Sequence, residues 1–214
     1  MKIGILWDLD GTLLDTLDDL ADAVNYALGQ FSYPARTREE VRTFVGGGAR
    51  RLIRQAVPAG ADPEPVLACF QSYYANHCQI KTGPYPGVME ALEQLKKYPM
   101  AVVSNKPDAA VKTLCAQYFP GMYALGERAD CPRKPAPDMV LRAMADLGIE
   151  KCVYVGDSDV DVLTAANVGV PCLSVTWGFR DREEIRAAGG THFCDRVEDL
   201  ASVLEEMIRD LTAR

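Results

Sequence analysis

Residues 3–12 read Ile-Gly-Ile-Leu-Trp-Asp-Leu-Asp-Gly-Thr, an apolar run that ends in two carboxylates and a glycine. The apolar run is typical of a strand buried on both faces of a parallel sheet. Asp8 and Asp10 therefore lie where this strand gives way to a turn at Gly11. Because open α/β sheets bind ligands at the carboxyl ends of their strands, we predict an active site here. The alternative is an ordinary Asp-Gly turn followed by a threonine helix cap.

The composition is that of a soluble globular protein. Of the 214 residues, 48% are hydrophobic and 25% are charged, which is enough apolar material for one large domain or a domain with a smaller second one. The longest apolar runs are too short to span a bilayer, and the first residues do not resemble a signal peptide. The net charge of -7 does not favour binding to nucleic acid or to an anionic membrane. We therefore expect a small-molecule partner, no nucleic acid and no membrane.

The cysteines and histidines exclude several kinds of site. Seven cysteines without a Cys-x-x-Cys pair predict reduced thiols and a cytoplasmic location. The two histidines, His77 and His192, are too isolated for a histidine metal site or a histidine-based triad. The composition leaves monomer and homodimer open.

The apolar residues change to helical spacing after Thr12, and Thr16 with Asp19 is placed as a capping box for a first helix. Further helices are predicted at 39–44, 49–57 and 63–79, without a convincing strand between residues 16 and 80. We therefore predict an all-helical insertion that acts as a lid. On this interpretation residues 16–80 form a helical cap domain, and residues 1–15 together with 81–214 form the core domain.

Strands and helices alternate from Pro86 onward. Strands are predicted at 100–103, 122–125, 152–155 and 172–175, with helices between them beginning near Pro107, Pro137 and Ser158 and a closing helix over 197–211. This alternation predicts an α/β fold, a doubly wound, Rossmann-like parallel sheet covered on both faces. Natural hinges to the insertion lie at 81–86 and in the turn after Thr12.

Three further polar clusters follow predicted strands or lie in loops beside them. They are Ser104-Asn105-Lys106, Arg133-Lys134-Pro135 and the segment from Gly156 to Asp161. Each has an ordinary structural explanation: Ser104 and Asn105 as helix caps, Lys134 as a solvated side chain, and Ser158 with Asp161 as a capping box. Their joint occurrence after Asp8 and Asp10, at the ligand-binding edge of the sheet, favours a single site.

These clusters together resemble the signature motifs of the haloacid dehalogenase superfamily. The four motifs occur in order as Asp8-Leu9-Asp10-Gly11-Thr12, Ser104-Asn105, Lys134-Pro135 and Gly156-Asp157-Ser158-x-x-Asp161. The resemblance spans essentially the whole chain, and a helical insertion after the first motif corresponds to the C1 cap of that superfamily. It is much less specific for the substrate than for the superfamily.

The resemblance implies a site built around a nucleophilic aspartate and a metal. Asp8 is the expected nucleophile and a ligand, Asp157 a second ligand, and the backbone carbonyl of Asp10 a third. An attack of carboxylate on phosphate brings like charges together, at roughly 4 kcal/mol for each pair at about 4 Å and a dielectric constant near 20. Oxygen ligands favour Mg²⁺ as the ion that offsets this repulsion.

The same resemblance assigns the remaining polar residues. Asp10 is the expected general acid and base, because it distinguishes phosphatases from the dehalogenases of the superfamily. Ser104 and Lys134 would neutralise the phosphoryl oxygens with Asn105 beside them, and Thr12 would hold Asp10 through a hydrogen bond. Asp161, with Ser158, would lie behind the ligands and orient Lys134 or a metal-bound water.

The segment from Phe44 to Ile53 is similar to the cap loop and helix of phosphoglycolate phosphatases, as are residues 85–88 and 177–180. Backbone amides at Gly47 and Gly48 could bind an anion, and Arg50 could clamp a substrate carboxylate. The alternative is a plain turn between helices followed by a solvated face that carries Arg50, Arg51 and Arg54.

We therefore expect a Mg²⁺-dependent phosphatase for a small phosphorylated metabolite, with 2-phosphoglycolate as the leading substrate. Sugar-phosphate or nucleotide phosphatase, pyrophosphatase and phosphosugar mutase activities remain open as alternatives within the superfamily. A non-enzymatic regulatory module would retain the aspartate, Mg²⁺ and lysine, but it explains neither Asp10 nor the helical insertion.

Overall fold

The computed structural model describes residues 1–213, over which the chain forms eight strands and ten α-helices. The strands are β1 (Ile3–Trp7), β2 (Leu14–Asp15), β3 (Gly83–Pro84), β4 (Met100–Pro107), β5 (Tyr123–Glu127), β6 (Lys151–Gly156), β7 (Cys172–Val175) and β8 (His192–Cys194). The helices are α1 (Leu17–Gln30), α2 (Arg38–Phe44), α3 (Ala49–Ala56), α4 (Pro63–His77), α5 (Val88–Leu95), α6 (Asp108–Tyr118), α7 (Asp138–Leu147), α8 (Asp159–Val168), α9 (Arg182–Ala187) and α10 (Leu200–Ala213).

Six of the strands form one parallel sheet in the order β5-β4-β1-β6-β7-β8. β1 is inside this sheet, paired with β4 through Ile5 and Met100 and with β6 through Gly4 and Cys152. Helices cover both faces, so the side chains of Ile5, Leu6 and Trp7 are completely buried. The predicted α/β class with a parallel sheet is confirmed, and the carboxyl end of β1 lies between those of its two neighbours.

Several elements differ from the predictions. β4 continues to Pro107 rather than ending at residue 103, so the cluster Ser104-Asn105-Lys106 lies within the strand. α9 and β8 have no counterpart among the predicted elements, because α9 is short and polar and β8 has only three residues. The helices predicted to begin at Pro107 and Pro137 begin one residue later, with each proline as the N-cap residue.

The four helices α1–α4 lie between the two short strands β2 and β3 and form the helical insert. β2 and β3 pair in antiparallel fashion, Leu14 with Pro84 and Asp15 with Gly83. Both predicted hinges therefore fall on one two-stranded ribbon, through which the chain enters and leaves the insert. The division into a core domain and a cap domain stays a prediction.

The predicted capping box at the start of α1 is wrong. The side chain of Thr16 makes no cap hydrogen bond, and its hydroxyl is buried without a partner within residues 1–213. The carboxylate of Asp19 instead accepts hydrogen bonds from the backbone N–H groups of Lys81, at 3.0 Å, and Thr82, at 2.9 Å. Asp19 therefore binds backbone N–H groups at the point where the chain leaves the insert. No local sequence motif indicates such a long-range partner.

All seven cysteines carry free thiols. Burial raises the pKa of Cys115 and of Cys152 to about 12, which leaves almost no reactive thiolate at neutral pH. None of the helices formed by residues 1–213 has both the length and the apolar character needed to cross a membrane.

Candidate active site

The carboxyl ends of β1, β4 and β6 meet at the edge of the sheet and enclose a cavity of about 50 Å³. β1 leads to Asp8 and Asp10, β4 carries Ser104, and Asp157 follows β6. The insert contributes the opposite wall, which is mostly apolar and includes Leu20, Val45, Gly46, Gly48, Ala49, Leu52, Phe70 and Tyr74. The cavity therefore lies between the sheet and the helical insert and has room for only a small molecule.

Lys134 links the carboxylates deepest in the site. Its Nζ lies 2.9 Å from Oδ1 of Asp8 and 2.8 Å from Oδ1 of Asp161, and it donates to the hydroxyl of Tyr154 at 2.9 Å. The lysine is almost fully buried, so these three acceptors replace the water that it would otherwise bind. The arrangement brings a fixed positive charge to Asp8.

Burial and neighbouring carboxylates raise the pKa of Asp8, and neighbouring carboxylates also raise the pKa of Lys134. Burial raises the pKa of Asp8 well above its usual range, Lys134 opposes the shift, and the carboxylates of Asp161, Asp157 and Asp10 add to it. Burial lowers the pKa of Lys134, but Asp161 and Asp8 more than offset that effect and hold it well above its usual value. The site therefore has a surplus of crowded negative charge that one lysine does not neutralise.

Asp157 is held in position by two hydrogen bonds. Its Oδ1 accepts from the hydroxyl of Thr12 at 3.1 Å, and its Oδ2 accepts from the backbone N–H of Phe179 at 2.7 Å. Gly11 has a φ of +81°, and a Cβ there would lie 2.4 Å from Oδ2 of Asp157, so this turn requires glycine. Burial and the nearby Asp161 raise the pKa of Asp157 to about 7.

The expected contact between Thr12 and Asp10 is not formed. The Thr12 hydroxyl bonds Asp157 across the site, because the turn at Gly11 directs Asp10 toward β4 instead. The side chain of Asp10 is paired with Lys106, whose Nζ lies 2.8 Å from its Oδ1.

The donor set fits a hard divalent cation. Carboxylate oxygens of Asp8, Asp157 and Asp161 all lie within 4.8 Å of one another, and all three residues are buried. Oδ1 of Asp161 contacts Lys134, while its Oδ2 accepts from the hydroxyl of Ser158 at 2.6 Å and from two backbone N–H groups. Oδ2 of Asp8 accepts no hydrogen bond from residues 1–213. Asp8 and Asp157 are therefore the better placed ligands, with Asp161 behind them as the partner of Lys134.

Asn105 connects the two sides of the cavity. Its Nδ2 donates to the backbone carbonyl of Gly46 in the insert at 3.1 Å and to that of Lys134 at 2.9 Å. Its Oδ1 is buried and has no partner in the described part of the chain, so one acceptor remains unsatisfied at the cavity wall. Ser104 is buried next to it and accepts from the backbone N–H of Lys106.

Two residues that the sequence placed at the substrate lie elsewhere. Arg50 is exposed and pairs with Glu64 of α4, so it points away from the cavity. Gly46 and Gly48 line the cavity, but Gly47 does not, and a Cβ on Gly47 would collide with the side chain of Arg51. The cause is the orientation of α3, which turns Ala49 and Leu52 inward and its arginines outward.

The model of the haloacid dehalogenase-like hydrolase family matches residues 5–175. The chain belongs to this family. It is 35% identical to phosphoglycolate phosphatase 1 of Pseudomonas aeruginosa, over 92% of this chain and 77% of that protein. It is 33% identical to phosphoglycolate phosphatase of Vibrio parahaemolyticus, over 94% of this chain and 95% of that protein.

A solved structure from Lactobacillus delbrueckii subsp. bulgaricus, described as a candidate phosphoglycolate phosphatase, is also similar. It superposes with a TM-score of 0.88 at 36% identity, covering 94% of this chain and 98% of that chain. The resemblance stated from the four motifs is therefore confirmed, and this haloacid dehalogenase-like hydrolase is a phosphoric monoester hydrolase.

Three side chains in the site of this hydrolase received no role from the sequence. Lys106 was only part of a polar cluster, although its position at the end of a strand was a usable signal. Tyr74 reaches the cavity from α4, and nothing in its local sequence separates it from other core aromatics. Arg180 donates to the carbonyls of Arg42, at 3.1 Å, and Val45, at 2.5 Å, so it binds the core to the insert.

Proposed function

We propose that this hydrolase is a Mg²⁺-dependent phosphatase that acts on 2-phosphoglycolate through a phosphorylated Asp8. The observation that carries the proposal is the group of buried charges at the ends of β1 and β6. It comprises Asp8, Asp157 and Lys134, and Asp10 lines the cavity two residues after Asp8. The phosphoglycolate phosphatases among the relatives support the choice of substrate.

The first step requires Asp8 to attack phosphorus. One oxygen of the Asp8 carboxylate forms the new P–O bond as the bond to the leaving oxygen breaks. Lys134 contacts Oδ1 of Asp8 and places positive charge next to the incoming phosphoryl group, while Ser104 lies at the same edge. Asp10 supplies the proton that the leaving alkoxide needs.

The second step releases the phosphate. Asp10 accepts a proton from water as the water oxygen attacks phosphorus, and the P–O bond to Asp8 breaks, which regenerates the carboxylate. The products are inorganic phosphate and the alcohol, here glycolate. Lys106 next to Asp10 keeps that carboxyl at the cavity wall in both steps.

The proposed metal site consists of Asp8, Asp157 and the backbone carbonyl of Asp10. When bound, Mg²⁺ offsets the negative charge of carboxylate and phosphate and so lowers the barrier to their approach. The chain prepares this site by fixing Asp157 through Thr12 and Phe179. We further propose that residues 16–80 act as a cap that excludes water, since the insert forms the outer wall of the cavity.

The test is kcat/KM for a panel of phosphomonoesters with Mg²⁺ and then with EDTA. The panel contains 2-phosphoglycolate, phosphosugars, nucleoside monophosphates and pyrophosphate. We expect a strong preference for 2-phosphoglycolate that EDTA abolishes, and a loss of at least about 10³-fold in kcat for Asp8→Asn. Asp22→Asn is the matched control, because Asp22 is exposed and pairs with Lys81 at the surface.

Each result has a separate meaning. Full activity in Asp8→Asn would refute the assignment of the nucleophile. A flat profile across the panel would retain the chemistry and reject 2-phosphoglycolate. A turnover that required a bisphosphate would indicate a mutase, and activity unchanged in EDTA would reject the metal.

A further inference from the structure

Lys106 is a buried lysine in the cavity wall. It lies at the end of β4 with only 5% of its surface exposed. Its Nζ lies 2.8 Å from Oδ1 of Asp10 and 2.6 Å from the hydroxyl of Tyr74, and it sits 4.7 Å from the centre of the Tyr74 ring. Burial lowers the pKa of Lys106, but Asp10 and Tyr74 more than offset this and raise it above its usual value. Lys106 is therefore a fixed cation shared between the sheet and the insert.

The ammonium of Lys106 retains one donor. A lysine has three N–H bonds, and within residues 1–213 the Nζ hydrogen bonds are those to Asp10 and Tyr74. Lys134 has no donor left, because its three N–H groups face two carboxylates and a tyrosine. Arg180 also lines the cavity, but three of its N–H groups donate to backbone carbonyls and its Nε lies 3.7 Å from Asp159. Lys106 lies next to Asp10 and has one N–H group that can donate to a ligand in the cavity.

The position of Lys106 relative to Asp10 defines which part of a substrate it meets. In the proposed reaction Asp10 faces the ester oxygen of the leaving group, and Lys106 lies one hydrogen bond beyond Asp10. In the phosphate ester of a 2-hydroxy acid, the carboxylate carbon is separated from the ester oxygen by a single carbon atom. When the ester oxygen lies at Asp10, a carboxylate so close to it lies beside the ammonium group of Lys106.

Among the described residues of the insert, none that lines the cavity is a cation. The insert residues there are apolar or aromatic, among them Leu20, Leu52 and Phe70. An anionic leaving group would be unfavourable against this wall unless a cation met it, because unpaired charge is costly away from water. The cavity volume of about 50 Å³ favours a small substrate.

We propose that Lys106, held in place by Tyr74, recognises the carboxylate of the leaving group and makes the enzyme selective for phosphate esters of small 2-hydroxy acids. This inference rests on the proposed function and assigns its substrate recognition to one residue of the core. It moves that role from Arg50, whose side chain is exposed and paired with Glu64. Lys106 also touches Asp10, so its test must separate recognition from an effect on proton transfer.

Two substrates that differ only in charge provide that separation. We would measure kcat/KM in saturating Mg²⁺ for 2-phosphoglycolate and for the phosphate ester of glycolamide, in which a neutral amide replaces the carboxylate. The wild-type protein should prefer the acid by about 30-fold, the size of a charged hydrogen bond in a buried site. The ratio of kcat/KM for the acid to kcat/KM for the amide cancels any effect of Lys106 on proton transfer by Asp10, because that effect is common to both esters.

The variants are Lys106→Met, Tyr74→Phe and the surface control Lys96→Met. Lys106→Met should reduce the acid-to-amide ratio at least about tenfold, mainly through a higher KM for the acid. Tyr74→Phe should reduce it about threefold, because the ammonium loses one of the groups that position it. Lys96→Met should leave the ratio unchanged, since the Lys96 side chain is 70% exposed and pairs with Glu93.

The opposite results would overturn the proposal. A wild-type enzyme that hydrolyses acid and amide equally well would reject carboxylate recognition and leave the phosphatase intact. Equal losses on both esters in Lys106→Met would show that Lys106 acts only on Asp10. If Lys106→Met does not fold, the wild-type ratio and Tyr74→Phe decide. Absence of hydrolysis of every ester would instead reject the proposed function, and this proposal with it.

Discussion

Asp8 and Asp10 belong to one turn but have different surroundings. Asp8 lies at the bottom of the site against Lys134, among carboxylates that raise its pKa. Asp10 lies nearer the insert, with its side chain 13% exposed and paired with Lys106. Two carboxylates separated by one residue can therefore have different roles, since each has its own cation and its own exposure.

Replacement of Asp10 by Asn should slow turnover without preventing the attack by Asp8. With a phenolic leaving group such as p-nitrophenolate, which needs no proton, release of the first product should remain fast. Loss of the base that activates water should then lower the steady-state kcat about 10²- to 10⁴-fold. Rapid-mixing kinetics would show a burst of p-nitrophenol close to one equivalent per enzyme.

The control for this experiment is Asp22→Asn, an exposed aspartate of α1. It should show wild-type kcat and no burst. A normal kcat in Asp10→Asn would contradict the role of Asp10 as general base. A variant that is slow but shows no burst would place the defect in the first step.

The ribbon of β2 and β3 connects the insert to the core. Only two residue pairs form this ribbon, so its own hydrogen bonds contribute little to the stability of the junction. Asp19 of α1 adds to them, because its buried carboxylate accepts from the backbone N–H groups of Lys81 and Thr82 just before β3. The start of the insert is thereby tied to its end.

Asp19→Ala should lower the free energy of unfolding by about 3 kcal/mol, since it removes charged hydrogen bonds and leaves a buried N–H group without an acceptor. Urea unfolding would measure this difference. Asp22→Ala, on the exposed side of the same helix, should change the free energy of unfolding by less than about 1 kcal/mol. A loss for Asp19→Ala no larger than that of the control would mean that the ribbon holds the junction by itself.

Arg180 joins the core to the insert. It lies in the loop after β7 and donates to the carbonyls of Arg42, Thr43 and Val45 at the end of α2. The last turn of a helix leaves carbonyl groups without partners, and a guanidinium satisfies several of them at once. The adjacent Phe179 holds Asp157, so one loop contacts both the proposed metal site and the insert.

Arg180→Met should loosen the insert over the cavity. We expect faster hydrogen exchange in α2 and a KM for 2-phosphoglycolate raised about tenfold, because the closed arrangement loses charged hydrogen bonds. The control Arg196→Met removes an exposed arginine that pairs with Glu198 and should change neither quantity. Unaltered exchange in α2 would show that Arg180 does not hold the insert closed.

The α/β class and the positions of Asp8, Asp10, Lys134 and Asp157 at the edge of the sheet could be predicted from the amino-acid sequence. This was possible because strand and helix periods are local, and because parallel strands all present their carboxyl ends at one edge. The family could be identified from the same residues. The ends of β4 and the short elements α9 and β8 could not be predicted, since their pairing depends on distant segments.

The side chains of the insert that meet the core could be identified from the packing of the folded chain and not from the sequence. Arg50 lies outside the cavity and Tyr74 inside it, although both are on predicted helices. Successive residues of a helix differ by about 100° around its axis, so a small rotation in packing exchanges a cavity residue for an exposed one. The partners of Thr12 and Asp19 were likewise decided by distant backbone and side-chain groups, since each lies across the site or the junction rather than nearby in sequence.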